Sequence, residues 1–224
     1  MLIARETQYV RWADDPVALE QNVNPATVAA QTADFRDAFL KMTDGRLGDF
    51  TSVDLEYLTP GAVVPIRRAG AIVVARAKDL GPVGGWSGGT WWMWGEKRTV
   101  IAGAGIMLDP GTDDTPHFNY ARHVRQHEMG HAVGFDHVDH IDIWPTVMLD
   151  HTYRVGGDHL SVTEWDMQAG RIAYQRPPGN RSPDTDPHGD QLAASGFVLL
   201  SRPGTALMSS PDNKGFVVCS KPGR

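Results

Sequence analysis

His127-Glu128-Met129-Gly130-His131-Ala132-Val133-Gly134-Phe135-Asp136-His137 places three imidazoles, two carboxylates and two glycines within one short run. On a helix, His127 and His131 stand four residues apart and share one face about one turn apart. Two neutral imidazoles on one face suit a single metal ion, zinc in particular. Glu128 follows the first histidine but is rotated round the axis, so it can reach a water at the metal without being a ligand. Gly134 can end the helix by taking a positive φ that other residues avoid. The chain then doubles back and can deliver His137 as a third nitrogen. Three protein ligands leave a fourth tetrahedral position open, as in a catalytic rather than a structural zinc site. The competing reading is an amphipathic helix with solvated histidines.

Five positions of this run match the pattern H-E-x-x-H-x-x-G-x-x-H, which resembles the metzincin clan of zinc endopeptidases. The resemblance implies a catalytic zinc on His127, His131 and His137, with Glu128 as general base. Relatives sometimes hold a structural calcium or a second zinc, but the loop bearing Asp113, Asp114 and His117 has no recognisable metal-site spacing, so neither is expected here. In that clan a Met-turn downstream puts a methionine as an apolar floor beneath the metal. Met148, eleven residues after His137, fits that place, although a methionine also fills ordinary core gaps. Val138 follows the third histidine where matrixins carry serine, and Asp150 stands where other relatives have a tyrosine ligand. The likeness is to a minimal matrixin-like domain, and it names no subfamily.

The sequence outside the run suits an α/β domain of zincin-like type. The implied architecture is a twisted, mostly parallel sheet with an antiparallel edge strand, an active-site helix and a small C-terminal subdomain with one helix. Tyr9–Val23 holds a first strand, and Asn24-Pro25 reads as a helix start. Val28, Thr32, Phe35, Phe39 and Met42 then follow helical spacing, closing near Gly45. Ser52–Leu58 alternates as a half-buried strand. Ala71–Ala75 is a continuous apolar run, expected of a strand covered on both faces. Thr99–Asp109 is a further strand, with Gly103 and Gly105 suited to close approach of a neighbour. After the histidines, Ser161 and Glu164 fit a capping box ahead of Trp165, Ala169, Ile172 and Ala173 at helical spacing. This start also resembles the last helix of matrixin-type domains.

Four of the seven tryptophans lie between Gly84 and Gly95. The resemblance implies that an edge strand here pairs with an extended substrate, so Thr90, Trp91, Trp92, Met93 and Trp94 are candidates for β-augmentation. The same aromatics equally suit plain packing. Two further histidines have other readings. His123 is expected to be solvated or to support His127 from behind, and His140 rivals His137 but lacks the glycine-turn spacing.

Residues 1–175 thus read as the catalytic domain, with an upper part over about 1–134 and a lower part over about 135–175. Residues 176–190 form a proline-rich linker. Residues 191–224 form a short extension with strand candidates at Gly196–Ser201, Thr205–Ser210 and Gly215–Ser220. Such a segment is too short for its own core and is expected to dock on the domain or a partner. The single cysteine, Cys219, excludes an internal disulfide, and thiol latency from the C-terminal side is the less favoured role for it.

With 224 residues and 41% hydrophobic content, the chain can build a substantial core. A net charge of −6 without a basic cluster argues against nucleic acid, and no apolar run is long enough to span a membrane. Met1–Glu6 breaks on charge too early for a signal peptide, whereas the resemblance implies secretion. The expected activity is hydrolysis of peptide bonds in extended protein segments. Two alternatives stand beside it: a structural or binding component that keeps the fold, and hydrolysis of a non-protein amide.

Overall fold

A computed structural model describes residues 4–5, 8–9, 11–13, 17–22, 26–55, 68–76, 86–94, 100–108, 118–138, 145–149, 161–175 and 214–220. The elements in order are β1 (Ala4–Arg5), β2 (Gln8–Tyr9), β3 (Arg11–Trp12), β4 (Ala18–Gln21) and α1 (Val28–Met42). They continue with β5 (Val53–Leu55), β6 (Ala71–Arg76), β7 (Trp86–Trp94), β8 (Val100–Leu108) and α2 (Phe118–Ala132). The last two are α3 (Glu164–Tyr174) and β9 (Lys214–Ser220).

The fold is α/β. Among the described residues its main sheet has seven strands in the order β5-β4-β6-β8-β7-β9, with β3 also pairing with β8. Strands β3, β4, β5, β6 and β8 run parallel, and β7 runs antiparallel to both of its neighbours, β8 and β9. Parallel neighbours need a crossover connection, and α1 supplies one between β4 and β5. Because β7 lines one edge of β8, strands β3 and β6 share the other. Arg11 and Trp12 lie opposite Val100 and Ile101, and Ile72–Arg76 lie opposite Ala104–Leu108. Strand β6 is buried from Ala71 to Ala75, as its unbroken apolar run requires.

Helix α2 packs against β7 and β8, α1 packs on α2, and α3 closes on α1. One core joins them, with Leu19, Phe35, Phe39, Met42, Ile72, Ile106, Met129, Phe135 and Tyr174 all fully or almost fully buried. Phe39 and Phe50 stack with ring centroids 4.4 Å apart. Where α3 meets α1, Gly170 lies against the backbone of Met42. A Cβ there would stand 2.5 Å from the Met42 carbonyl oxygen, so only hydrogen fits.

Several expectations need correction. The first strand is not continuous over Tyr9–Val23, because separate short strands end at Tyr9, Trp12 and Gln21. The segment at Ser52–Leu58 is described only as β5, and its Val53 and Leu55 are 37% and 45% exposed rather than half-buried. Among the described residues β5 is the outermost strand on its side of the sheet. On the other side β7 is antiparallel as expected, but it is not an edge, since β9 pairs along it. Ser161 is not the cap of α3. Thr163 is, with Asp166 completing the box, two residues further along the chain. The N-cap of α1 is Thr27, and Asn24-Pro25 lies outside the described residues. So do the strand candidates at Gly196–Ser201 and Thr205–Ser210, whereas Gly215–Ser220 falls within β9.

Candidate metal centre

Helix α2 is anchored from behind before it presents any ligand. Arg125 donates from Nη1 to Asp34 Oδ2 of α1 at 2.7 Å, with both side chains buried. Gln126 donates to Asp37 Oδ2 at 2.8 Å and accepts the Val162 N–H at 3.1 Å, tying α1, α2 and the start of α3 together. Burial raises the Asp34 carboxyl above its ordinary value, while Arg125 pulls it the other way.

The C-terminal end of α2 is equally determined. Gly134 has φ +103°, a conformation L side chains rarely adopt. Its N–H donates to His131 O at 2.9 Å, and the Phe135 N–H donates to Gly130 O at 3.0 Å, which together form a Schellman cap. The last carbonyls of a helix lack partners within it. Here Trp12 Nε1 donates to Ala132 O at 2.8 Å and Tyr174 Oη donates to Val133 O at 2.7 Å. Arg11 lies over the Tyr174 ring at 4.7 Å and donates to the Tyr174 carbonyl at 3.1 Å. β3 and α3 thus fix the point where the chain turns.

After the turn, the Val138 N–H donates to Met148 O at 2.8 Å, and Val138 bridges Leu149 in parallel. This pairing holds His137 beside the helix. The Nε2 atom of His131 lies 3.0 Å from those of His127 and His137, and the His127–His137 separation is 3.2 Å. His127 and His131 are buried, and His137 is half-buried.

The outer nitrogens decide what these three atoms are. His127 Nδ1 is 2.7 Å from Val147 O, and His131 Nδ1 is 2.8 Å from Phe135 O. A carbonyl oxygen only accepts, so each Nδ1 carries the proton and each neutral ring turns a lone pair outward at Nε2. Burial, followed by the charge on neighbouring imidazoles, pushes both rings well below the usual 6.5 and keeps them neutral. Two lone pairs facing each other at 3.0 Å repel unless a cation lies between them. Bonds of about 2.0–2.1 Å in tetrahedral geometry put ligand nitrogens roughly 3.3 Å apart, close to the observed triangle. The three histidines therefore suit a metal ion.

No protein-family model matches this chain, and comparison with curated proteins returns no match. The site is accordingly read from its own chemistry.

Met148 is fully buried against the turn between His127 and His131. A methyl group at Gly130 would meet the Met148 sulfur and, at 2.8 Å, the terminal methyl of Met42. Glu128 is also fully buried, adjoining the first ligand in sequence. His123 is not solvated: it is 5% exposed, with its ring 5.8 Å from that of His127. Thr90–Trp94 form most of β7, against which α2 packs. His140, Asp113, Asp114, His117, Asp150 and Tyr153 lie outside the described residues.

Sequence reasoning missed Asp166. Its carboxylate accepts from Thr146 Oγ1, from the Val147 N–H at 3.1 Å and from the Thr163 N–H at 2.8 Å. Its signal was present in Thr163-Glu164-Trp165-Asp166, a second S/T-x-x-D/E box overlapping the one at Ser161. Trp12 and Tyr174 gave no local signal, since their roles arise only where distant segments meet the end of α2.

Proposed function

We propose that the chain is a zinc-dependent endopeptidase of metzincin type, acting on extended segments of protein. The observation that carries this reading is the convergence of three Nε2 atoms within 3.0–3.2 Å, two of them held as acceptors by backbone carbonyls. Neutral imidazole donors in a set of three favour zinc with an open position. The Schellman turn at Gly134, the buried Met148 and the neighbouring Glu128 are the companions the metzincin resemblance implies. The order of a mostly parallel sheet, an antiparallel strand, the ligand-bearing helix and one last helix also supports it.

His127, His131 and His137 would hold the ion. When bound, zinc supplies Lewis acidity to a carbonyl oxygen and makes water at the site more acidic. Glu128 takes the proton from the attacking water and passes it to the departing amine, which is general acid–base work. Asp166 and the Val147 carbonyl hold the His127 ring in its donor orientation. Strand β7 would offer main-chain groups to an extended peptide only with β9 off its outer edge.

Metal analysis paired with cleavage of an unstructured protein such as casein tests the reading. Bound zinc with chelator-sensitive cleavage supports it. Zinc without cleavage favours a binding or structural role, and cleavage of small amides alone favours the non-protein substrate.

A further inference from the structure

Beyond β7 the sheet continues only with β9 among the described residues. The two strands run antiparallel, from Trp86 opposite Ser220 to Met93 opposite Lys214. Thr90, Trp91, Trp92 and Met93 therefore face Val217, Phe216, Gly215 and Lys214 in the ladder. On their other edge they pair with Ile106, Gly105, Ala104 and Gly103 of β8. An extended peptide joins a sheet through the main-chain groups of its outer strand, and each such group serves one partner strand at a time. The edge of β7 that faces away from β8 is taken by the chain's own C-terminal strand.

We propose that residues 214–220 are an internal occupant of the β7 edge, excluding an extended peptide until β9 detaches. The peptidase reading enters only as the identity of the excluded ligand. Residues 176–213 connect α3 to β9, so the strand is tethered. Because β9 belongs to the same chain, its pairing is intramolecular, and a free peptide competes against a raised effective concentration. Yet among the described residues β9 pairs with one strand only, so its detachment breaks a single ladder and leaves the rest of the sheet intact. Such an occupant competes with weak ligands and yields to a better-paired one.

The test uses the full-length chain carrying Val217→Pro and Val218→Pro. Donors of successive strand residues point to opposite edges, so one of two consecutive prolines removes a group facing β7. The probe is a fluorescein-labelled peptide with the sequence of residues 214–220 and serine in place of Cys219. The proline variant should bind it roughly tenfold or more tightly than wild type. It should also cleave a quenched fluorescent peptide with a correspondingly lower KM and little change in kcat. Equal affinity in the two proteins overturns the proposal.

A second variant works in the opposite direction should the prolines disturb folding. Thr90→Cys with Val217→Cys, in a Cys219→Ser background, joins two register partners. Opposed antiparallel Cα atoms lie about 4.5–5.5 Å apart, within disulfide reach. The oxidised form should refuse the peptide, and reduction of the same variant should restore its binding. Binding indifferent to oxidation contradicts the proposal. If binding follows the state of β9 but no zinc-loaded form cleaves anything, the peptidase reading fails and the occupancy stands. Cleavage with binding independent of β9 gives the converse.

Discussion

The Nδ1 atom of His127 donates to the carbonyl oxygen of Val147 at 2.7 Å, joining the first candidate ligand to the residue before Met148. The Val147 N–H in turn donates to Asp166 at 3.1 Å. One carboxylate at the start of α3 thus orients an imidazole it never touches. Replacing Asp166 by Asn leaves one acceptor oxygen and sets an amide N–H₂ against donors. Loss of buried partners costs about 1–3 kcal/mol, and disturbed support of a ligand typically weakens metal affinity by about 10–100-fold. Competition with a chromophoric chelator measures that affinity; an unchanged value removes Asp166 from the site's support.

Gly134→Ala forces a methyl-bearing residue to φ +103°. Left-handed conformations cost roughly 1–2 kcal/mol for L residues, and here the turn also places His137. Both denaturant stability and zinc affinity should fall. A drop in stability with unaltered metal binding would show that His137 does not depend on this turn.

Gly170→Ala sets two effects against each other. Alanine gains about 1 kcal/mol of helix propensity over glycine. Its Cβ would stand 2.5 Å from the Met42 carbonyl oxygen, a backbone atom that cannot rotate away. Overpacking costs about 1–3 kcal/mol, so α3 must shift from α1 and net destabilisation is expected. A raised urea midpoint would contradict the packing described for this contact.

How much of this was legible beforehand depended on whether the information was local. His127, His131, Gly134 and His137 are joined by helix period and one turn, so their spacing alone placed them together. The apolar run at Ala71–Ala75 likewise announced a strand buried on both faces. Position relative to the histidines singled out Met148. By contrast, β9 pairs with a strand more than a hundred residues away in sequence. Nothing between Lys214 and Ser220 states which edge it will take. Trp12 caps α2 from 120 residues away and Tyr174 from 41. The cap of α3 was misplaced for a different reason: two overlapping boxes fit locally, and Asp166 is selected because Thr146 and Val147 also need its carboxylate.

Metal-free protein should weaken in mild acid. Desolvation, then the neighbouring imidazoles, hold His127 and His131 well below the ordinary 6.5. Below about pH 6.5 the unfolded chain takes up protons at these residues while the folded chain does not. Their contribution is therefore full above that pH and lost progressively as pH falls from there toward the lowered folded-state values. In EDTA the urea midpoint should decline between pH 7.5 and 6, and decline less in His127→Gln. Equal pH responses in the two proteins would contradict this account of the buried rings.

The most direct measurement pairs zinc content with turnover in Glu128→Gln, a change of nearly constant shape at a fully buried residue. Glu128 is read as the base and not as a ligand. The variant should retain about one zinc per chain and lose cleavage of a peptide by about 10²–10⁴-fold, the usual contribution of a general base. Turnover near the wild-type level with zinc in place would contradict the account at its centre.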